Sequence, residues 1–447
     1  MPWGPRRYPL VGHLPSFLHD KLGFLTRCAA TYGDVVRLHL GEPTLLLSHP
    51  EDVRHVLVVN GDNYIKSPRL TSLKGKRLSG FGLLTSLGAE HLRQRRMMQP
   101  SFNRKTVETF ARTIVDGIDE TLAGWTEGAE VDLGRELMAV AQRNIVRMVL
   151  GADADAEMPR FLKAIAARRR YMEHVFFSPL PEWLPTRVGS EYRMAMELID
   201  GIVFRSIRAR RHDPAHGDDL LTLLLRAVYE DGSGMSDQQV RDEAVTLFVS
   251  GSETNGEALT WTCYLLARHP EVEARVLEEV ERVIGGRRPT ALDAVNLTYT
   301  NMVLAESMRL YPPTWIFIRM ARTSDTLPSG AMVPAGSKVY LSPYVMHRHP
   351  RYFPEPERFD PERFTDEARR GRPALSYFPF GAGQRLCIGE HIARLESACV
   401  LASIVQRVRL GLVSDAAVVA EPKMTLRPRT PVRMRVLEHR RAAMPSR

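Results

Sequence analysis

Apolar and polar positions alternate from Asp34 to Leu40 (DVVRLHL); GEP follows, and then TLLLSHP resumes the apolar run, which predicts a β-hairpin. Helical spacing dominates after that. Pro50 to Val59 reads as a helix opened by Pro50, Glu51 and Asp52, with acidic groups suited to the N-terminal dipole. Lys66 to Ser86, rich in Ser, Gly and basic residues, reads as a long loop of the kind that often carries function. Further helices are predicted over Ala89 to Met98, Asn103 to Trp125, Arg135 to Leu150, Glu157 to Val175, Ser190 to Arg211 and Asp218 to Glu230. Ser236 to Arg268, Pro270 to Ile284 and Thr300 to Leu310 continue the series. A second β region is expected around Thr326 to Leu341, with a turn at Val333-Pro334-Ala335-Gly336, and a proline-rich meander follows from His349 to Phe364. The last helix starts at Ile388, where Ile388, Ile392, Leu395, Cys399 and Ala402 form a stripe at alternating spacings of four and three. With no repeats and no flexible linker, the pattern predicts one mainly α domain over residues 1–447 with a small β region.

Composition narrows the class. The chain is 44% hydrophobic and 25% charged, enough for a large core and an internal cavity. Its four cysteines (Cys28, Cys263, Cys387, Cys399) lie far apart without a CxxC, which fits a reducing compartment and no disulfide framework. No run of about 18 apolar residues occurs, and Pro2, Pro5 and Pro9 interrupt any leading helix, so neither a membrane anchor nor a secretory signal is expected. The net charge of +9 raises a nucleic-acid reading, but the basic clusters, Arg168–Arg170 and Arg205, Arg208, Arg210 and Arg211, are short. They read as solvated helix faces, and a basic docking face for an acidic protein stays open.

Candidate chemistry gathers in FPFGAGQRLCIGEHIARLE, Phe378 to Glu396. A phosphatase loop would place an arginine at position 393, where Ala393 stands. Zinc would need three or four ligands, and beyond Cys387 only His391 is near. A buried structural cysteine describes Cys399 but leaves the glycines and Arg385 unexplained. Haem ligation by a thiolate accounts for all of them. Gly381, Gly383 and Gly389 would pass backbone close to a flat macrocycle at positive φ, Arg385 would meet a propionate, and Phe380 would shield the sulfur.

The full pattern, Phe380, Gly383, Arg385, Cys387 and Gly389 in F-x-x-G-x-R-x-C-x-G, resembles the cysteine loop of the cytochrome P-450 monooxygenases. Other motifs of that family occur in order. Glu306-Ser307-Met308-Arg309 matches its ExxR helix, Tyr311-Pro312-Pro313 follows, and Arg363 in FPEPERFDPERF would complete a buried Glu-Arg-Arg network. Ser250-Gly251-Ser252-Glu253-Thr254-Asn255 is similar to the family's oxygen-activation motif. The resemblance implies that Gly251 leaves room for dioxygen, that Thr254 hydrogen-bonds the oxygen substrate or a water, and that Glu253 relays protons. Thr254 merely back-bonding to its own helix is the bland reading beside it. Asn255 departs from the usual second threonine, which puts the helix groove and its water network in question. His91 and Arg95, one helical turn apart, match a propionate-binding W/H-x-x-x-R, and Arg319 resembles a further propionate arginine with a spacing about one residue long.

The resemblance spans nearly the whole chain, from YPLVGHLP to the cysteine helix. It implies the cytochrome P-450 fold, a helical prism with haem b (iron protoporphyrin IX) between the central helix and the helix after Cys387. It implies insertion of one oxygen atom into an apolar C–H or C=C bond, with electrons from a ferredoxin and its reductase, and a monomeric, bacterial, cytoplasmic enzyme. Arg93 and Arg96 are candidate contacts for the electron donor. A haem-thiolate sensor or carrier is a rival reading that the Glu253-Thr254 pair argues against; a peroxide-dependent relative would show that pair altered. Pocket walls are expected at Lys66 to Leu84, Phe176 to Leu184, Phe248 to Ser252 and Thr314 to Ile318, including Phe81, Leu83, Leu84, Phe176, Phe177, Trp315 and Phe317. They suit a fatty acid, terpenoid or polyketide. Lys66, Arg69, Lys74, Lys76 and Arg77 read as a solvated loop rather than a carboxylate site.

Overall fold

The alternating stretch after Asp34 folds as a strand, Val35–His39, with Val36 and Leu38 buried and Arg37 exposed, paired antiparallel to Pro43–Leu47. In the computed structural model, which describes residues 4–72, 76, 80–177, 186–213, 217–229 and 231–440, these strands edge a five-stranded sheet. The order continues through Lys338–Leu341, parallel to Pro43–Leu47, then Phe317–Ala321 and Tyr64–Lys66, both antiparallel to their neighbours. The sheet belongs to the first of two compact units, Met1–Arg69 with Tyr299–Ile388 and Val419–Arg429. The second comprises Leu70–Thr298, Gly389–Val418 and Thr430–Arg447, and is mostly helical. Both are built as expected for a mainly α chain with small sheets. No helix among the described residues is long and apolar enough to cross a membrane.

In the second unit the helix Asp237–Arg268 starts where the pattern placed it, because the Ser236 hydroxyl caps it by accepting the Gln239 N–H at 3.2 Å. It packs chiefly on the helix Leu133–Leu150, and two glycines set that approach. A Cβ on Gly251 would come within 2.9 Å of Ile145 Cδ1, and one on Gly256 within 3.0 Å of Met138 Cα. The stripe Ile392, Leu395, Cys399 and Ala402 is buried in the helix Glu390–Arg407, which packs on Ala111–Leu122.

Several boundaries differ for identifiable reasons. The predicted helix Pro50 to Val59 is α-helical only over Pro50–Arg54. It widens into a π-turn over His55–Val59, closed by the Asn60 N–H on the His55 carbonyl at 2.8 Å. Asn103 to Trp125 divides into Arg104–Glu108 and Ala111–Leu122 at Thr109, whose hydroxyl bonds the Thr106 carbonyl at 2.7 Å. Asp218 to Glu230 shrinks to Leu220–Arg226, and Glu230 lies outside the described residues. Lys66 ends a strand instead of opening a loop. Two arginines expected on solvated faces are interior: Arg168 is 3% exposed, and Arg210 is 4% exposed between Asp153 and Asp219 at 2.6 Å each.

The first unit turns on Arg309, fully buried in the helix Thr298–Leu310. Its Nε and Nη2 donate to the two Glu306 oxygens at 2.6 and 2.9 Å. Nη1 donates to the carbonyls of His347 (2.9 Å) and Pro356 (2.6 Å), and Nη2 also to that of Arg358 (3.0 Å). All five guanidinium donors are thereby used. Arg363 stands 3.6 Å from Glu306, an ion pair without a hydrogen bond, and spends one nitrogen on the Glu355 carbonyl at 3.0 Å. A lysine at 309 would keep the charge but lose the planar fork. Arg309→Ala, which leaves Glu306 buried without its partner, should cost about 3–5 kcal/mol, the usual loss when a buried pair is broken, and Arg309→Lys a part of that. Equal denaturant midpoints for variant and parent would contradict the network.

Candidate active site

The cysteine loop is a tight structure. The Phe378 carbonyl accepts the Gly381 N–H at 3.0 Å, the Gly383 carbonyl the Leu386 N–H at 3.0 Å, and the Phe380 carbonyl the Cys387 N–H at 2.9 Å. Gly381 and Gly383 take φ of 74° and 67°, as their role demanded. At Gly383 a Cβ would also lie 2.0 Å from the Leu57 carbonyl of the π-turn, so two constraints require glycine there. Gly389 differs. Its φ is −87°, and it caps the helix Glu390–Arg407 without needing a left-handed backbone. Cys387 is the exposed cysteine. Cys28, Cys263 and Cys399 are buried, and burial pushes their thiols up to about 11, 12 and 12, away from thiolate chemistry.

A basic cluster occupies the same unit. In the register of Tyr64–Lys66 against Phe317–Ala321, Lys66 lies directly opposite Arg319. Burial, then Arg385 and Arg319, hold the Lys66 ammonium well below its ordinary pKa, and burial draws Arg319 down to about 10. Like charges directly opposite one another destabilise a strand pair. Three converging cations thus fit a dianionic group, and the two carboxylates of haem b are such a group. Lys66 is the functional candidate that the sequence reading assigned to a solvated loop; its signal was the tyrosine two residues before it, which begins a strand. Lys76 pairs with Glu90 at 3.1 Å, while Lys74, Arg77 and the side chain of Arg69 lie outside the described residues.

His91, Arg95 and the oxygen-activation motif belong to the other unit. His91 is buried and Arg95 half-buried in the helix Gly88–Met98. Its exposed Arg93 already binds Asp231 at 2.8 Å and covers the Tyr229 ring at 3.8 Å. On the central helix the Thr254 hydroxyl donates to the Ser250 carbonyl at 2.8 Å. Gly251 presents its Cβ position to Ile145, so a side chain there would press on the helix Leu133–Leu150. Glu253 is half-buried and, with Tyr192, acts to raise the pKa of buried Arg168, which burial draws down to about 10. Asn255 is the other departure. Its amide nitrogen donates to Glu396 at 2.6 Å and its oxygen accepts from the Ser397 hydroxyl at 2.7 Å. Asn144 donates to the second Glu396 oxygen at 2.8 Å. Asn255 therefore ties the central helix to Glu390–Arg407, and both ends of its amide are spent there instead of on the helix groove.

A sequence profile described as cytochrome P-450 matches residues 2–435. The chain belongs to the cytochrome P-450 family. It is 35% identical over 429 residues to cyclooctatin synthase of Streptomyces melanosporofaciens, covering 94% of this chain and 92% of that one. It is also 35% identical to cyclooctat-9-en-7-ol 5-monooxygenase of the same organism, over 92% of this chain and 90% of the relative. The haem domain of a cytochrome P-450DA mutant superposes with a TM-score of 0.89 at 25% identity, over 98% of each chain. This cytochrome P-450 is accordingly an oxidoreductase that incorporates molecular oxygen, uses haem b, and acts on apolar substrates with a redox partner.

Of the expected pocket walls of the cytochrome P-450, Trp315 is core: it is buried and its indole N–H donates to the Lys423 carbonyl at 3.0 Å. Phe248 packs edge-on against Phe161 at 5.1 Å. The side chains of Phe176 and Phe177 and residues 178–185 lie outside the described part. The segment from Gly80 to Ser86 is pinned to the start of the central helix. Leu83 N–H donates to Glu243 at 2.9 Å, Phe81 N–H to Asp242 at 3.2 Å, and the Gln94 amide to the Phe81 carbonyl at 3.1 Å. Burial pushes the Glu243 carboxyl up from 4.5 to about 8. The folded chain therefore holds a proton there that the unfolded chain releases. Stability from this group is full below about 4.5 and is lost as pH rises through about 8. Glu243→Gln keeps an acceptor for Leu83 but cannot ionise. It should flatten the decline in Tm between about pH 5 and 8, where each group contributes at most ~1.4 kcal/mol per pH unit. Parallel Tm curves for variant and parent would contradict this.

Proposed function

We propose that this cytochrome P-450 oxidises a terpenoid, with Cys387 as the thiolate ligand and electrons from a ferredoxin and its reductase. The substrate class is carried by the likeness to two terpene-modifying relatives along more than nine tenths of this chain. The ligand assignment is supported by the exposed position of Cys387 in a loop braced at Gly383, against three buried thiols. In the first unit Lys66, Arg319 and Arg385 would hold haem carboxylate, and Phe380 flanks the sulfur loop; in the second, His91 and Arg95 take the propionate role that the family resemblance gives them. Gly389 caps the helix that follows. Exposed Arg96 offers positive charge to an acidic ferredoxin, whereas Arg93 would first have to give up its bond to Asp231.

Haem, when bound, would supply the oxygen-activating chemistry, with two electrons from the redox partner and two protons accounting for the oxygen atom that leaves as water. The chain supplies protons and a dry pocket. Thr254 donates its own proton to the Ser250 carbonyl, which leaves its hydroxyl oxygen able to accept a hydrogen bond from water. To pass a proton on, it must exchange that internal bond for one to its new partner. Glu253 is half-buried near Arg168, within reach of solvent that would recharge it.

Three outcomes test the reading. Cys387→Ser should lose the long-wavelength carbon-monoxide band of thiolate-bound haem, while Cys28→Ser, Cys263→Ser and Cys399→Ser keep it; retention at 387 would sink the ligand. In a spectral titration cyclic terpenoids should shift the haem band, and a response confined to fatty acids would sink the substrate class. Thr254→Ala should waste NADPH as peroxide, since general acid–base help is worth about 10² to 10⁴-fold. Asn255→Ala, which breaks two buried bonds, should instead lower Tm by the equivalent of about 2–4 kcal/mol and leave the product-to-NADPH ratio nearly intact. The reverse pattern would exchange the two roles.

A further inference from the structure

Near the start of the chain, Tyr8 and Gly12 exchange backbone bonds of 3.0 and 3.1 Å, and the Val11 N–H closes on the Pro9 carbonyl at 2.7 Å. The residue at the centre of that three-residue turn is Leu10, with φ of 63°. Such a turn is rare and strained, and a branched side chain suits it badly. Leucine there also gains nothing from the interior. Leu10 is 103% exposed, beside Tyr8 at 53% and Val11 at 47%, with Leu18 at 60% on the helix Leu14–His19.

The base of the turn is locked. Gly12 has φ of 62°, and a Cβ on it would lie 2.4 Å from the His39 carbonyl. The His13 N–H donates to that carbonyl at 2.8 Å, and the His39 N–H returns a bond to His13 Nδ1 at 2.9 Å. The tip is thus held out on a rigid base, as strain that persists for a purpose must be. Charge adds a direction. The first nineteen residues contain no Asp or Glu, and Arg6 and Arg7 are exposed immediately before Tyr8.

We propose that the Tyr8–Gly12 turn seats the enzyme on an anionic lipid surface. A convex tip with one leucine at its apex offers little area to a folded protein, but a bilayer accepts a projecting side chain. Leu10 and Val11 would enter the acyl boundary, Tyr8 would lie at headgroup level, and Arg6 and Arg7 would meet lipid phosphates. An oxygenase of apolar substrates would thereby stand where such molecules partition; the binding itself does not depend on the proposed terpenoid.

Sedimentation of the haem-loaded full chain with phosphatidylglycerol/phosphatidylcholine vesicles, and with phosphatidylcholine alone, tests this. Binding should favour the anionic vesicles and weaken with salt. Leu10→Gly suits the positive φ, so Tm should hold or rise while vesicle affinity falls about tenfold, as expected for withdrawing a leucine from an apolar phase. Arg6→Ser with Arg7→Ser should cut affinity about 30-fold on anionic vesicles at low ionic strength. No sedimentation with either vesicle, or equal binding by parent and Leu10→Gly, overturns the proposal. So does concentration-dependent dimerisation that Leu10→Gly abolishes without any vesicle binding, which would make the tip a contact between copies.

Discussion

The arrangement of the cysteine loop depends on one buried ion pair. Arg309 and Glu306 are both fully enclosed, and desolvating them is costly. What offsets the cost is that neither is satisfied by the other alone. Arg309 gathers the carbonyls of His347, Pro356 and Arg358, and Glu306 also accepts the Asp360 N–H at 2.8 Å. The pair therefore fixes a meander that has no regular ladder of its own. From it the order passes directly to the site: His347, held neutral by burial and by the nearby arginines, accepts the Phe378 N–H at 3.0 Å, and Phe378 begins the cysteine loop. The Tyr377 hydroxyl adds a bond to the Ala305 carbonyl on the arginine's own helix at 2.9 Å.

The same unit stores an opposite electrostatic tension. Lys66 and Arg319 face each other across strands, with Arg385 close enough to lower the lysine's pKa further. A dianion bound there, as proposed for the haem carboxylates, would ease this repulsion and couple cofactor binding to folding. A ligand that binds only the folded chain stabilises it by mass action, and at this cluster the gain would include eased like-charge repulsion.

The motifs were legible because each pairs unusual residue types at fixed spacing. Cys387 with its glycines, Glu306 with Arg309 and the cap at Ser236 needed no tertiary information. What escaped depended on neighbours distant in sequence. Strand Phe317–Ala321 pairs on both edges, and its burial lacks a clean alternation, so IFIRMA gave little signal. Lys66 looked solvated because nothing near it in sequence shows Arg319 opposite. Arg168 and Arg210 looked exposed because arginine usually is, whereas Arg210 is enclosed by acids 9 and 57 residues away. By contrast, RMRVLEH did alternate, and Arg433–His439 is a strand with Met434 and Val436 buried; that signal was present and unused.

The central helix shows how one short motif divides its work. Gly251 and Asn255 are four apart and share a face, and that face is structural: one admits Ile145, the other reaches Glu396 and Ser397. Ser250 and Thr254 share a different face, joined by the hydroxyl-to-carbonyl bond, with Glu253 beside them. An asparagine in place of the second threonine thus alters the packing side and leaves the proton-carrying side its own groups. Glu396, pushed up to about 7 by burial, is kept from full cost by the two amides that bind it. A threonine hydroxyl at 255 could donate and accept, but only from one oxygen, and lacks the two separate amide atoms with which Asn255 reaches Glu396 and Ser397. The departure from the family pattern is therefore matched by its partners across the helix interface, and it leaves the proposed proton-delivery role to Glu253 and Thr254.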